Sequence, residues 1–200
     1  MVKHAEDLRR TILDASLDLI ANDGLGGFSM REVARRAGVS HQAPYHYFAD
    51  REAILAAIVG EGFESLRAAM AQAVDSVEEP VARLTAIGQA YVKFALEHPA
   101  HFKLMFRSEL VRVENHDEAH ACAHAALDLL VSVVSEVTKG EFGDDEYGLV
   151  LACWSLAHGL ATLTLEGKLD DHCGEHAEDQ SQVVQGVFKA FDKLLRSAAR

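Results

Sequence analysis

The stretch SMREVARRAGVSHQAPYHYF, Ser29 to Phe48, decides how this chain is read. Ser29 and Glu32 have the S-x-x-E spacing of a capping box, in which the serine caps a helix start and the glutamate answers it. Val33, Ala34 and Ala37 make a short apolar face, and Gly38 stands where a left-handed residue ends a helix. Val39 plugs the turn, and Ser40 is placed to cap a second helix through His41, Gln42, Ala43, Pro44, Tyr45 and His46. Two short helices joined by a glycine-containing turn form a helix-turn-helix, whose second helix can enter a DNA major groove. Spacing alone also fits an ordinary helical hairpin.

Outward from this stretch the chain reads as helix throughout. Leu8, Ile12, Ala15 and Leu19 form one stripe of a helix predicted over residues 4–23, with Gly24 as its stop. Asp50 is placed to cap a helix that opens at Arg51-Glu52 and runs through Ile54, Leu55, Ile58, Phe63, Leu66 and Met70. Pro80 suits a first helical turn, followed at helical spacing by Val81, Leu84, Ile87, Tyr91 and Phe94. Pro99 does the same for the short apolar run His101 to Phe106. Asn115 and Glu118 repeat the capping spacing and open a helix to about Thr138; Gly143 to Glu146 open another, to Gly167. Val183, Val184, Val187, Phe188, Phe191, Leu194 and Leu195 mark a last helix over 182–196. No alternating strand pattern occurs, so the expected class is all-α.

Composition narrows the function classes. With 200 residues and 49% hydrophobic content, the chain has ample material for a core and is too apolar for disorder. No uninterrupted apolar segment reaches bilayer length, and MVKHAEDLRR has no apolar signal region. Cys122, Cys153 and Cys173 are far apart and form no C-x-x-C pair, as expected of a cytoplasmic protein with reduced thiols. Net charge is −12, but residues 1–60 carry seven basic against eight acidic side chains, leaving twelve against twenty-three for the rest. The acid lies mostly outside this head, and local charge governs phosphate affinity.

The order Ser29, Val33-Ala34, Ala37-Gly38-Val39-Ser40, Tyr45, Phe48 and Leu55 resembles the DNA-binding domain of the tetracycline-repressor (TetR/AcrR) family. Pro44, Tyr47 and Arg51 depart from its commonest pattern. Trp154-Ser155-Leu156-Ala157-His158-Gly159 resembles the W-x-x-x-H-G pattern of one type of C-terminal domain in that family, and EHPAHFKLMF at 97–106 extends the likeness. The resemblance implies nine helices: a three-helix head over residues 1–50 and a six-helix body for ligand and dimerisation over 51–200. It also implies a homodimer closed by a four-helix interface. Helix 144–166, apolar nearly all round, and helix 182–196 are the expected contributors.

The expected function is a DNA-binding regulator, a repressor released from its operator by a small, moderately hydrophobic molecule. Ser29, Ser40, Tyr45 and Arg51 are assigned to phosphates. His41, Gln42 and His46 are assigned to base edges, and Pro44 to apolar contact. For the ligand the candidates are Phe94, Phe102, Met105, Phe106 and Trp154 as apolar wall, with His98 and His158 as polar points. The same aromatics also suit a closed core. His116, His120 and His124 share one helical face, and Asp170, Asp171, His172, Cys173, Glu175 and His176 cluster in a loop, but neither makes a closed ligand set. No metal or other cofactor is therefore assigned. Glycine-rich phosphate loops, G-x-S-x-G and H-E-x-x-H are all missing, so no catalytic residue is assigned. The alternatives are a metal-sensing regulator, or a helical-bundle enzyme or metal-binding protein with a degenerate head.

Overall fold

A computed structural model describes residues 2–138, 144–169 and 180–198. Eight α-helices occur among them, and no strand: α1 Val2–Asp23, α2 Met30–Arg36, α3 Arg51–Asp75, α4 Pro80–Glu97, α5 Pro99–Met105, α6 Asp117–Thr138, α7 Asp144–Leu165 and α8 Gln180–Ala198. Single 3-10 turns lie at Leu25–Gly27, Ala43–His46 and Val113–Asn115. Helix α6 opens two residues later than Asn115, which lies in the last of these turns. The expected start at Gly143 and the acidic loop 170–176 lie outside the described residues.

The chain divides into two compact units. The first comprises residues 1–63 and 99–123; the second comprises 64–98 and 124–200. Both breaks fall inside helices, α3 and α6.

In the first unit α1 packs on α2 and α5. Ile12, Leu13, Leu19, Val33, Ile54, Leu55, Ile58 and Val59 are essentially sealed from solvent, with Phe28, Phe48, Phe102, Leu104 and Met105 around them. Ser16, also sealed, returns its hydroxyl to the Ile12 carbonyl at 2.7 Å, so its burial leaves no orphaned donor. Arg36 ties α2 to α1, its two terminal nitrogens reaching Asp18 and Asp23, each at 2.5 Å.

In the second unit α4 packs on α7 and α8. Val81, Leu84, Ile87, Val92, Ala95, Val150, Ala157, Leu160, Ala161, Val184 and Phe188 form its core. The ring of Phe188 lies against the α4 backbone at Gly88, where any side chain would collide with it. By length and composition alone α6 and residues 146–165 of α7 reach the threshold of a bilayer span, although neither is an uninterrupted apolar run. A search for unbroken apolar runs misses both because histidines and acids punctuate them. Each nevertheless buries a face inside the second unit, through Ala126, Leu130, Val133 and Val134 on α6 and the α7 residues just named.

Candidate functional site

The helix-turn-helix forms by local rules. Ser29, in extended backbone, accepts the Glu32 amide on its hydroxyl at 3.2 Å and caps α2. The return half of the capping box is not made: the Glu32 carboxylate instead takes Arg35, at 2.9 Å to Nε and 2.5 Å to Nη2. Gly38 ends the helix at φ +69°, and the amides of Gly38 and Val39 close onto the carbonyls of Arg35 and Ala34. Asp50 caps α3 by accepting the Ala53 amide at 2.8 Å.

The second helix differs from expectation. Residues 43–46 form one 3-10 turn, and Gln42 precedes it with no side-chain cap, so Ser40 does not cap a helix there. Pro44 explains this: it has no N–H to give the Ser40 carbonyl, which accepts Ala43 in a tighter bond of 2.9 Å. Pro44 is also buried, so it supports the turn from inside and is not on the face assigned to DNA.

The other assigned residues are exposed: Ser29, Ser40, His41, Gln42, Tyr45, His46 and Arg51, with Tyr45 at 53%. None is needed to fill the core. Ser29 keeps its hydroxyl proton for a second partner, since its oxygen accepts the Glu32 amide. Arg51 lies over the Phe28 ring, 5.6 Å from its centroid, which steadies the guanidinium and leaves its in-plane N–H groups for a phosphate. Arg9 stacks likewise on Phe48 at 5.4 Å, whereas Arg10 is held by Asp14 and Glu61 within the fold. Arg31 is exposed two positions past the cap, whereas Arg36 is half-buried and held by Asp18 and Asp23, a difference the sequence does not disclose.

The residues assigned to a ligand fall in different units. Phe102, Met105 and Phe106 belong to the first. There Phe102 and Phe106 meet edge to face at 5.3 Å, Phe106 meets Phe63 at 5.8 Å, and Phe102 and Met105 are buried. Phe94, His98, Trp154 and His158 belong to the second unit. His98 is exposed at the end of α4, its ring 5.0 Å from that of Phe94, so it is not a polar point among buried walls.

His158 is such a point. Its Nδ1 lies 2.8 Å from the hydroxyl of Tyr91, and the two rings meet at 6.2 Å and 63°. Burial holds His158 below the usual imidazole range, which favours the neutral ring at pH 7. Burial also raises the Tyr91 phenol well above its ordinary value, although a hydrogen bond from Trp154 partly opposes this. Tyr91 reads in sequence only as one apolar position of a stripe. Its partner is 67 residues away on another helix, though a buried tyrosine does call for one.

His158 pairs with the Tyr91 phenol, and burial pushes the Cys153 thiol up to about 12, far from a reactive thiolate. Among the described residues no three His, Cys, Asp or Glu side chains converge on a cation position, and His116 turns to Glu52 at 3.3 Å.

Comparison with known proteins agrees with this geometry. Residues 12–58 match the model for bacterial regulatory proteins of the tetR family, and residues 84–188 match that for a tetracyclin repressor-like C-terminal domain. The HTH-type transcriptional regulator BetI of Rhizobium meliloti is 33% identical over 109 residues, 53% of this chain and 53% of that protein; the chain thus spans about half the length of this curated relative. A solved structure of a protein of unknown function from Rhodococcus sp. RHA1 superposes with a TM-score of 0.75 at 34% identity, covering 93% of this chain and 94% of that one. The transcriptional regulator FadR from Bacillus subtilis, solved in complex with stearoyl-CoA, shares the fold at a TM-score of 0.71 and 16% identity, over 90% and 95% of the two chains. With a helix-turn-helix built as described and a C-terminal model matching more than half its length, the chain belongs to the tetR family of bacterial regulatory proteins, which are transcriptional regulators and not enzymes.

Proposed function

We propose that this chain is a cytoplasmic, homodimeric repressor that holds operator DNA through its helix-turn-helix and lets go when a moderately hydrophobic molecule binds the body. Residues 1–50 serve the DNA, and 51–200 serve ligand and partner. The observation that carries the DNA half is the exposure of Ser29, Ser40, His41, Gln42, Tyr45, His46 and Arg51 on a turn whose own backbone is fixed by Ser29, Gly38 and Pro44. Side chains that the fold does not use, on a rigid scaffold, are what base and phosphate contacts require.

The dimer is supported by what α7 and α8 leave uncovered. Gly148, Ala152, Ser155 and Gly159 follow one another along one face of α7, three of them exposed and Gly159 half-buried, and Leu163 continues the line at 45% exposure. A Cβ at Gly148 or Gly159 would meet nothing within 4 Å, so a second helix can approach closely there. On α8, Val183, Val187 and Leu194 form an apolar edge apart from the buried Val184 and Phe188. Two such helix pairs related by a two-fold axis bury both faces. Leu160, on the same helix, is buried in its own chain and takes no part in this face.

For the effector, support comes from the Tyr91–His158 pair beside Phe94 and Trp154, which combines apolar surface with a polar point. That the FadR of similar fold was solved with an acyl-CoA fits a largely apolar ligand. Such a molecule must prefer the DNA-free state, since equal affinity for both states shifts nothing.

The test is selection of genomic fragments by the purified protein at low salt. Enrichment of a two-fold symmetric site, lost when Tyr45→Ala is used, supports the proposal; random recovery of fragments contradicts it.

A further inference from the structure

We propose that Arg9, on α1 and outside the helix-turn-helix, is a further phosphate contact of the DNA-binding face, braced for that task by the ring of Phe48. This inference rests on the operator reading above and adds a residue to its backbone contacts. Residues 1–60 hold six arginines: Arg9, Arg10, Arg31, Arg35, Arg36 and Arg51. Carboxylates of the fold engage three of them. Arg10 reaches Asp14 and Glu61, each at 2.8 Å, Arg35 reaches Glu32, and Arg36 reaches Asp18 and Asp23. Among the described residues Arg9, Arg31 and Arg51 make no ion pair, so their charge is left for a phosphate.

Arg9 and Arg51 share a second feature. Each guanidinium lies over a buried ring, Arg9 5.4 Å from the centre of Phe48 and Arg51 5.6 Å from that of Phe28. The rings stand at the two ends of the motif. Phe28 precedes the cap Ser29, and Phe48 follows Tyr45 by three residues, its amide donating to the Pro44 carbonyl at 2.9 Å. Contact with a ring covers the flat face of a guanidinium and leaves its N–H edge free. On α1, Arg9 lies three, four and seven positions before Ile12, Leu13 and Ser16, all sealed from solvent. It therefore prolongs the inward face of α1, the helix that packs on α2, past the end of the core. The residue is exposed, yet its charge is turned to the motif. An ordered cation with no carboxylate partner, beside a helix-turn-helix, suits the DNA backbone. Such a contact adds affinity for any sequence and reads none.

The experiment measures affinity of the intact protein against salt for two probes: the selected genomic fragment, and a duplex of arbitrary sequence about 30 base pairs long, roughly three helical turns. Arg9→Gln should weaken both by a similar factor and lower the slope of log affinity against log salt by about 0.9 for each bound chain. Arg9→Lys should recover the slope, since any cation on that phosphate releases the same counterions. Arg10→Gln removes the same net charge from a side chain that the fold already holds, and its slope should match the wild type. An unchanged slope in Arg9→Gln overturns the proposal, above all if the denaturation midpoint falls, for Arg9 would then merely cover the Phe48 ring. An equal fall in Arg10→Gln overturns it too, because net charge alone would be responsible. The operator reading is tested separately. A lowered slope on the arbitrary duplex with no fragment selected keeps this inference and defeats that reading; a selected fragment with the Arg9→Gln slope unchanged does the reverse.

Discussion

Gly88 lies directly under the ring of Phe188: a Cβ at position 88 would stand 2.1 Å from Cε1 and 2.6 Å from Cζ. The absence of a side chain on α4 is thus what lets α8 seat its most buried residue.

Gly88→Ala gains helix propensity, yet it must displace a ring in a full core, and the clash dominates. The expected loss of stability is about 1–3 kcal/mol, read by urea denaturation. Phe188→Ala empties the same place and should cost about 3–5 kcal/mol. Phe188→Leu combined with Gly88→Ala should be less destabilised than the sum of the two single changes, because they share one contact. Strict additivity would mean that the close approach is not the cause.

Tyr45 and Gln42 are both exposed on the turn, but their expected roles differ. Tyr45→Ala should weaken binding to every DNA sequence, as loss of a phosphate contact does. Gln42→Ala should relax preference at particular base pairs, each such contact being worth about 1–3 kcal/mol. Binding to a set of singly altered sites separates the two patterns, and identical profiles for both variants would refute the assignment.

Leu194 and Leu163 are 66% and 45% exposed, so an aspartate at either leaves the single chain intact. Leu194→Asp and Leu163→Asp should lower the sedimenting mass to that of one chain, with the helical signal unchanged and operator affinity lost. Leu160→Asp would instead unfold the chain and say nothing about assembly, since that residue is 6% exposed. A wild-type protein that is monomeric at micromolar concentration would count against the dimer.

Burial lowers His158 from its ordinary 6.5, so the folded chain takes up this proton less readily than the unfolded chain. Stability from the neutral ring is therefore complete above about pH 6.5 and falls as acidification drives the unfolded state to bind the extra proton. In His158→Gln, which still offers Tyr91 an acceptor, the decline below about pH 6.5 should be shallower than in the wild type. Denaturation midpoints across that range provide the comparison; parallel curves would show that His158 is not responsible.

How much the sequence discloses depends on the range of each interaction. Ser29, Gly38 and Asp50 are legible because a cap joins residues three or four apart, and each is found in its expected role. Pro44 is only half legible. A proline is tolerated in the first turn of a helix, but here its missing N–H removes the bond that an α-helix over 40–48 needs, and a 3-10 turn results. The grouping of Phe102, Met105 and Phe106 with Trp154 and His158 was a reading of composition. The boundary that puts them in different units runs inside α3 and α6, and although Gly60 and Gly62 stand just before it in α3, the helix continues through them and nothing in the sequence marks a break there. The Tyr91–His158 bond crosses between two helices, and periodicity along either one is silent about the other.

The central claim, that the exposed residues of this turn hold an operator as a symmetric pair, is tested most directly by hydroxyl-radical footprinting on the selected fragment. The expected footprint is two protected patches on one face of the duplex, about 34–36 Å or one helical turn apart, fading steeply as salt rises because phosphate contacts release counterions. A single unsymmetrical patch, or protection indifferent to both sequence and salt, would contradict it.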